Sequence, residues 1–181
     1  MDNSRKIKQV SSILQYASYL VVGWIIIGAL ALSIFLWLIP EEVIPLLRVN
    51  HAAIRISETN MFFAIPAWII LLIPSMLIAY GVWRLGCMFR SFRLGNYFSD
   101  ESVNHLLVFS LCGFVGQFFA PLFDALAGLV ASLSTSKANF DVYLNIDGLE
   151  GARLLAWAAF GTIAWILREG IRLEKENEEF V

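Results

Sequence analysis

The sequence predicts an all-α integral membrane protein with four transmembrane helices. Of the 181 residues, 59% are hydrophobic and only 15% are charged, whereas a soluble domain is about half apolar and about a quarter charged. The apolar residues are gathered into four runs, which cover residues 16–39, 61–88, 106–132 and 154–167. Because a helix needs about 20 residues to cross the apolar core of a bilayer, these runs predict four spans in a single membrane domain over residues 1–181.

The predicted helices extend somewhat beyond the apolar runs, over about residues 13–39, 61–92, 99–133 and 151–175. The first run follows basic residues but is too long for the apolar region of a signal peptide, so it is predicted to be a retained helix. The fourth run is short, and it spans a bilayer only if Arg153 and Arg168 extend from its two ends to the interfaces.

The two longer links between the predicted helices have patterns of their own. The link over residues 40–60 has enough apolar side chains to lie along the membrane surface. Apolar and polar residues alternate over residues 140–147, which predicts an extended segment with one face on the bundle.

Lysine and arginine are divided unequally between the two sides of the predicted helices. Nine lie in the two tails and in the link between the second and third helices, namely Arg5, Lys6, Lys8, Arg84, Arg90, Arg93, Arg168, Arg172 and Lys175. Four lie in the other two links, namely Arg48, Arg55, Lys137 and Arg153. Because cytoplasmic segments are rich in these residues, both termini are predicted to be cytoplasmic (N-in and C-in).

Tryptophan placement is in keeping with this orientation. Five of the six tryptophans fall near the predicted boundaries, with Trp37, Trp68 and Trp157 on the outer side and Trp83 and Trp165 on the inner side. This is the usual place for tryptophan in membrane helices. Trp24 falls in the middle of a span, and we predict that it packs between helices.

The stretch FRLGNYFSDESVNHL, between the second and third predicted helices, carries helix stop and start signals. Gly95 is suited to the left-handed conformation in which many helices end. Ser99 is a favourable N-cap residue, and Asp100 and Glu101 then fall in the first turn, where negative charge interacts well with the helix dipole. The stretch therefore predicts a tight cytoplasmic hairpin.

Two short motifs resemble a bacterial membrane family called domain of unknown function 2975. The matching residues are Gly95, Phe98, Ser99 and Glu101 in the hairpin, and Glu169, Gly170, Leu173, Glu176, Glu178 and Val181 near the C-terminus. The four-helix layout is also similar, so the resemblance covers nearly the whole chain. After the capping turn this chain has Ser102, Asn104 and His105 where the family usually has asparagine and then basic residues.

The resemblance implies a location in the bacterial inner (plasma) membrane, as a multi-pass protein. The family has no established activity. Its genes often neighbour small helix-turn-helix regulators, which implies a regulatory role.

Asp124 is the most unusual residue of the predicted spans. It interrupts the third apolar run and belongs to a stripe of small residues spaced by four, namely Cys112, Gly116, Ala120, Asp124, Gly128 and Ser132. Such a stripe suits close contact between helices. An acid inside a bundle is a candidate for ion or proton handling. The structural alternatives are an ion pair with Arg153, which is predicted to lie at a similar depth near the outer boundary, or an acid exposed at the membrane interface.

The C-terminal tail is polar and becomes acidic toward its end. Arg172–Glu176 and Lys175–Glu179 have the spacing of ion pairs within a helix. The tail is either a solvated end or a docking site for a basic cytosolic partner. The candidate docking residues are Arg90 and Arg93 in the hairpin and Glu174, Glu176, Glu178 and Glu179 in the tail, and we predict that the acidic end lies near the hairpin arginines.

The sequence contains no pattern that points to catalysis. His51 and His105 fall on opposite sides of the predicted membrane, and Cys87 and Cys112 have neither zinc-site nor disulfide-framework spacing. No phosphate-binding glycine loop or metalloprotease motif is found. The net charge of −2 does not favour nucleic-acid binding. We therefore expect a protein that is not an enzyme, without cofactor, metal site or direct nucleic-acid contact.

Two functions remain open from the sequence. The first is a regulatory membrane protein that senses the envelope or a ligand and holds a cytosolic partner of the helix-turn-helix type. The second is a small transporter or channel subunit that uses Asp124. In both cases the expected partners include the lipid bilayer and, as an open alternative, further copies of the chain.

Overall fold

The computed structural model describes residues 2–38, 61–97, 99–132 and 148–178. Within these ranges the chain forms four α-helices and no strand, which confirms the all-α prediction. The helices are α1 (Asp2–Leu38), α2 (Met61–Leu94), α3 (Asp100–Ser132) and α4 (Gly148–Glu178). The links predicted to lie on the membrane surface (40–60) and to be extended (140–147) fall outside the described residues.

Each of the four helices contains a segment that is long and apolar enough to cross a membrane. These segments are Arg5–Ala31, Trp68–Leu94, Asp100–Ala127 and Gly151–Asn177. Large apolar side chains on them are widely exposed, for example Leu20 at 74% and Trp24 at 80%. Apolar surface of this extent is unfavourable in water and is covered when lipid surrounds the helices. The prediction that Trp24 packs between helices is therefore wrong, because its indole faces outward.

The helices are longer than the apolar runs that predicted them. The first helix starts eleven residues before the predicted position 13, and α4 continues to Glu178 rather than 175. Hydropathy marks only the part of a helix that lies in lipid, whereas the backbone hydrogen bonds continue through good helix formers such as Arg5, Lys6 and Gln9. At 37 residues α1 is about 55 Å long, well above the ~30 Å of the bilayer core.

The helices pack mainly against their neighbours in the chain, in the order α1, α2, α3 and α4. Glycine allows a close approach at these contacts. Gly86 of α2 lies against the Tyr19 ring and Ser18 of α1, and Gly116 of α3 lies against Ile78 of α2. Without a hydrophobic force between helices in lipid, such close contacts are a main source of association.

The contact between α3 and α4 is built around Trp157. Its indole lies directly on the backbone of Gly113, at a place where a β-carbon would clash with the ring. The ring also makes an edge-to-face contact with Phe109, with 5.0 Å between centroids, and Phe160 packs beside the same ring of Phe109 at 5.9 Å. Trp157 thus anchors α4 on α3.

Candidate functional site

Within the described residues, the polar side chains concentrate at the end of the bundle where α2 turns into α3. This end, here called the hairpin end, comprises the start of α1, the α2–α3 turn, the start of α3 and the end of α4. Gly95 has φ +96° and ends α2 as predicted. Its N–H donates to the Phe92 carbonyl (3.0 Å), and the Asn96 N–H donates to the Ser91 carbonyl (3.1 Å). This pair of bonds is the Schellman arrangement for a helix C-terminus.

The start of α3 has the predicted serine cap. The Ser102 N–H donates to Ser99 Oγ at 3.2 Å, and the Val103 N–H donates to the Ser99 carbonyl at 3.1 Å. The first bond satisfies an amide group that the first turn of a helix leaves without a partner, and the second is the first regular i to i−4 bond of α3. The predicted stop and start signals of the hairpin are therefore confirmed.

Ser102 joins the two halves of the hairpin, and sequence reasoning missed it. Its hydroxyl donates to the Asn96 carbonyl at 3.0 Å and lies 2.9 Å from Ser99 Oγ. With 1% exposure it is the most deeply buried polar residue of the described chain. The sequence signal was its position three residues after the cap, where glutamate or glutamine usually returns a bond to the cap.

The end of α4 is tied to the start of α3 by an ion pair between Lys175 Nζ and Asp100 Oδ2. Within the tail, Arg172 binds Glu169 at 2.6 Å and Glu176 at 3.3 Å, so the predicted Arg172–Glu176 pair is confirmed. For the Lys175–Glu179 pair, Glu179 falls outside the described residues. The pair with Asp100 is exposed on both sides, and such a pair is worth at most about 1 kcal/mol.

This ion pair has the opposite polarity to the predicted contact between tail and hairpin. The sequence predicts that the acidic end approaches Arg84, Arg90 and Arg93, and the side chains of that end, from Glu178 onward, lie outside the described residues. The contact that is described instead places a lysine of the tail on an acid at the start of α3. The reason is that α4 packs against α3, whose first turn is acidic.

The predicted docking residues are divided between two sides of the hairpin end. Arg90 and Arg93 follow Gly86 by four and seven residues, so they share the face of α2 that contacts α1. Glu174 and Glu176 are exposed on α4, which packs mainly against α3 rather than against α1. The backbone of Glu178 belongs to α4, and Glu179 lies outside the described residues.

An open cleft lies between the first turns of α3 and the end of α4. Its volume is about 460 Å³, and it is lined by Asp100, Glu101, Val103, Asn104, Leu107 and Arg168. Beside it, Glu101 Oε1 lies 3.7 Å from His105 Nε2. The cleft combines charges of both signs with an apolar wall, which suits polar contacts with a protein surface better than the binding of a single ion.

Three buried polar atoms near this end have no hydrogen-bond partner among the described residues. They are Gln15 Oε1 on α1, Arg84 Nε on α2 and His105 Nδ1 on α3. Among all the residues that the structure describes, no three His, Cys, Asp or Glu side chains come close enough to hold a metal ion.

Asp124 and Arg153 lie on the two helices of the α3–α4 contact. The contact between Gly113 and Trp157 sets an antiparallel register that places Arg153 level with Gln117, about 10 Å along the axis from Asp124. Asp124 follows Gly113 by eleven residues, which is three turns, so it lies on the face of α3 that contacts α4. Side chains lean toward the N-terminus of their helix, and in this antiparallel pair that direction brings the two residues toward each other. The pair itself stays a prediction.

A double-mutant cycle measures whether Asp124 and Arg153 interact. Asp124→Asn is expected to lower the stability of the detergent-solubilised protein, and Arg153→Gln in that background is expected to add little further loss, because one partner is already neutral. Unfolding curves of the wild type, the two single variants and the double variant give the coupling energy. Losses that add fully would show that the two residues are independent.

The comparisons with known proteins identify no relative. No family model, no curated protein and no solved structure matches the chain. The resemblance to domain of unknown function 2975 therefore stays a prediction. The class of the protein is defined by its fold: its four helices have the length and composition of membrane spans, as in a multi-pass membrane protein.

Proposed function

We propose that the chain is a non-enzymatic regulatory protein of a bacterial inner membrane, with both termini in the cytoplasm, which holds a basic cytosolic partner at its hairpin end. The observation that carries the proposal is the α4 tail. This segment continues as helix beyond Arg168 to Glu178, and each side chain from Arg172 to Asn177 is exposed. A helix that extends from the membrane with exposed charges offers a surface to a protein in the adjacent compartment.

The charge distribution supports a basic partner for this surface. Asp100 and Glu101 begin α3, and Glu174 and Glu176 lie on the neighbouring tail; these four residues are called the acidic edge. The side chain of Glu101 is 74% exposed and that of Glu176 is 54% exposed. Complementary charge mainly raises association rates and selects partners, and a DNA-binding regulator is a basic protein of the required kind.

The ion pair between Lys175 and Asp100 supports a mechanism in which a basic side chain of the partner takes the place of Lys175. It is exposed, so it contributes little to stability and its loss is tolerated. A basic side chain of a partner can replace Lys175 on Asp100 without breaking the bundle. The tail then moves as a short lever, because Gly170 weakens the helix where it leaves the membrane.

The test uses a photo-crosslinking residue in place of Glu101, in cells that express the full chain. We expect it to capture a basic cytosolic protein, and we expect deletion of residues 174–181 to abolish that capture while membrane insertion and the four-helix fold are retained. The charge variant Glu174→Gln/Glu176→Gln should weaken capture, with a smaller dependence on salt.

A matched control places the same crosslinker at Leu155, which is 72% exposed on the apolar part of α4. It should capture lipid or membrane protein and be unaffected by the deletion. If the truncated chain captured the same protein at position 101 with the same salt dependence, the tail would be only a solubilising end and the proposal would be wrong.

A further inference from the structure

We propose that the groove between α1 and α2 at the hairpin end binds the headgroup of an anionic phospholipid that carries free hydroxyl groups, of the phosphatidylglycerol type. The proposal concerns the side of the hairpin end opposite to the acidic edge. It does not depend on a cytosolic partner.

The α2 wall of the groove is cationic. The contact of Gly86 with Tyr19 and Ser18 shows which face of α2 meets α1. Arg90 and Arg93 continue this face toward the hairpin, at four and seven residues from Gly86. Arg93 is half-buried beside the helix contact, and Arg90 is exposed at its edge, where its guanidinium group is accessible to a ligand.

The α1 wall of the groove is polar and adds a third cation. Ser11, Gln15 and Ser18 are buried, at 4%, 6% and 7% exposure, although this part of α1 exposes large apolar side chains on its other side. Lys8 precedes Ser11 by three residues and Gln15 by seven, so it lies on the same face. The register set by Ser18 and Gly86 places Arg90 and Arg93 beside the turns that contain Gln15 and Ser11.

No acid neutralises these cations within the described part of the chain. Four ion pairs on α3 and α4 join Glu101 to His105, Glu169 and Glu176 to Arg172, and Asp100 to Lys175. Lys8, Arg90 and Arg93 take part in none of these pairs. Three cations that border one groove favour an anion with several oxygen acceptors, and a phosphate is the group that arginine binds best.

The side-chain oxygen of Gln15 indicates that the ligand also carries a hydrogen-bond donor. Its side chain is more than nine-tenths buried, and its Oε1 accepts no hydrogen bond from the described residues. A buried acceptor without a donor is costly. The hydroxyls of a glycerol headgroup are donors, and they are attached to the phosphate that the neighbouring cations would hold.

Aromatic residues indicate that the groove lies at the level of lipid headgroups. Trp83 precedes Arg90 by seven residues, so it lies on the same face of α2, about 10 Å away along the axis. Trp83 and Tyr80 are 43% and 46% exposed, and their rings are in contact at 5.7 Å. Exposed tryptophan and tyrosine collect at membrane interfaces, and cations one to two turns beyond them reach the phosphate layer.

The experiment measures lipid retention by native mass spectrometry of the full chain, purified in detergent and titrated with phosphatidylglycerol, phosphatidic acid or phosphatidylcholine. We expect phosphatidylglycerol to be retained most strongly. Arg90→Gln/Arg93→Gln should lower its retention about tenfold, and Lys8→Gln, an exposed change that leaves the helix contact intact, should lower it several-fold. Gln15→Leu should lower retention of phosphatidylglycerol but not of phosphatidic acid, which lacks the glycerol headgroup and its alcohol hydroxyls.

The matched control is Arg168→Gln/Arg172→Gln, which removes two positive charges from the same end of the molecule on α4. It should leave retention of phosphatidylglycerol unchanged. An equal loss in this control, or equal retention of phosphatidylcholine by the wild type, would overturn the proposal, because binding would then reflect net charge or acyl chains alone. Glycerol 1-phosphate should fail to displace the lipid at millimolar concentration, and displacement would show that the groove takes a free phosphate ester rather than a lipid.

Discussion

Gly113→Ala is expected to destabilise the protein by about 2–3 kcal/mol, in the upper part of the usual range of about 1–3 kcal/mol for overpacking a tight contact. The new methyl group would clash with the indole ring of Trp157. The indole cannot turn aside freely because Phe109 and Phe160 pack around it. Relief therefore requires a shift of α4 away from α3. Denaturation of the purified protein in detergent micelles, followed by circular dichroism, measures the loss.

Two further variants separate this effect from a general cost of losing a glycine. Gly23→Ala places the same methyl group on α1, where no atom lies within 4 Å, and it should be neutral or stabilising by up to about 1 kcal/mol because alanine favours helix. In a Trp157→Ala background, Gly113→Ala should lose most of its cost. An undiminished cost in that background would show that the Trp157 contact is not the cause.

Ser102→Leu is the second change with a large expected effect, a loss of at least about 2 kcal/mol. The serine is 1% exposed, so a larger side chain finds no room. The change also removes the hydroxyl that binds the Asn96 carbonyl, and an unsatisfied polar group near the turn adds about 1–3 kcal/mol. Because this bond ties the end of α2 to the start of α3, we expect limited proteolysis at the turn to become faster as the unfolding midpoint falls.

Asn104→Leu is the matched control for this change. Asn104 is exposed two residues further along α3, so the same side chain should be tolerated there. Ser102→Ala, which removes the hydrogen bonds without overpacking, should cost about 1 kcal/mol. A Ser102→Leu protein as stable as the wild type, with the turn equally resistant to protease, would contradict the assigned role.

The local features of this chain were predictable because they depend on residues close together in sequence. The ends of the hairpin at Gly95 and Ser99 follow from backbone preferences and from bonds across three to five residues. The Arg172–Glu176 pair is likewise one turn of helix. The helix starts and ends outside the apolar runs were less predictable, because hydropathy reports the surrounding solvent and not the hydrogen bonds of the helix.

The features that were missed depend on which helices are neighbours. The sequence predicts Trp24 between helices and Trp157 at the membrane boundary, yet Trp24 faces outward and Trp157 packs between two helices. The choice between these roles depends on whether a partner backbone without a side chain, here Gly113, stands opposite. Ser102 appeared in sequence only as a departure from a family pattern, and its burial results from the turn of the chain back toward Asn96.

The sequence by itself determined that the helices are apolar enough for lipid, how many long helices the described residues form and where the hairpin lies. These features depend on apolar length and on helix capping, which are local properties of the chain. Only the tertiary structure decided which charges meet. Since α4 packs on α3 and α1 packs on α2, Lys175 reaches Asp100, whereas Arg90 and Arg93 lie on the face of α2 that contacts α1. At this end of the bundle, the ion pair between Lys175 and Asp100 joins two helices that are packed side by side. The order in which the helices pack cannot be read from the charge pattern along the sequence.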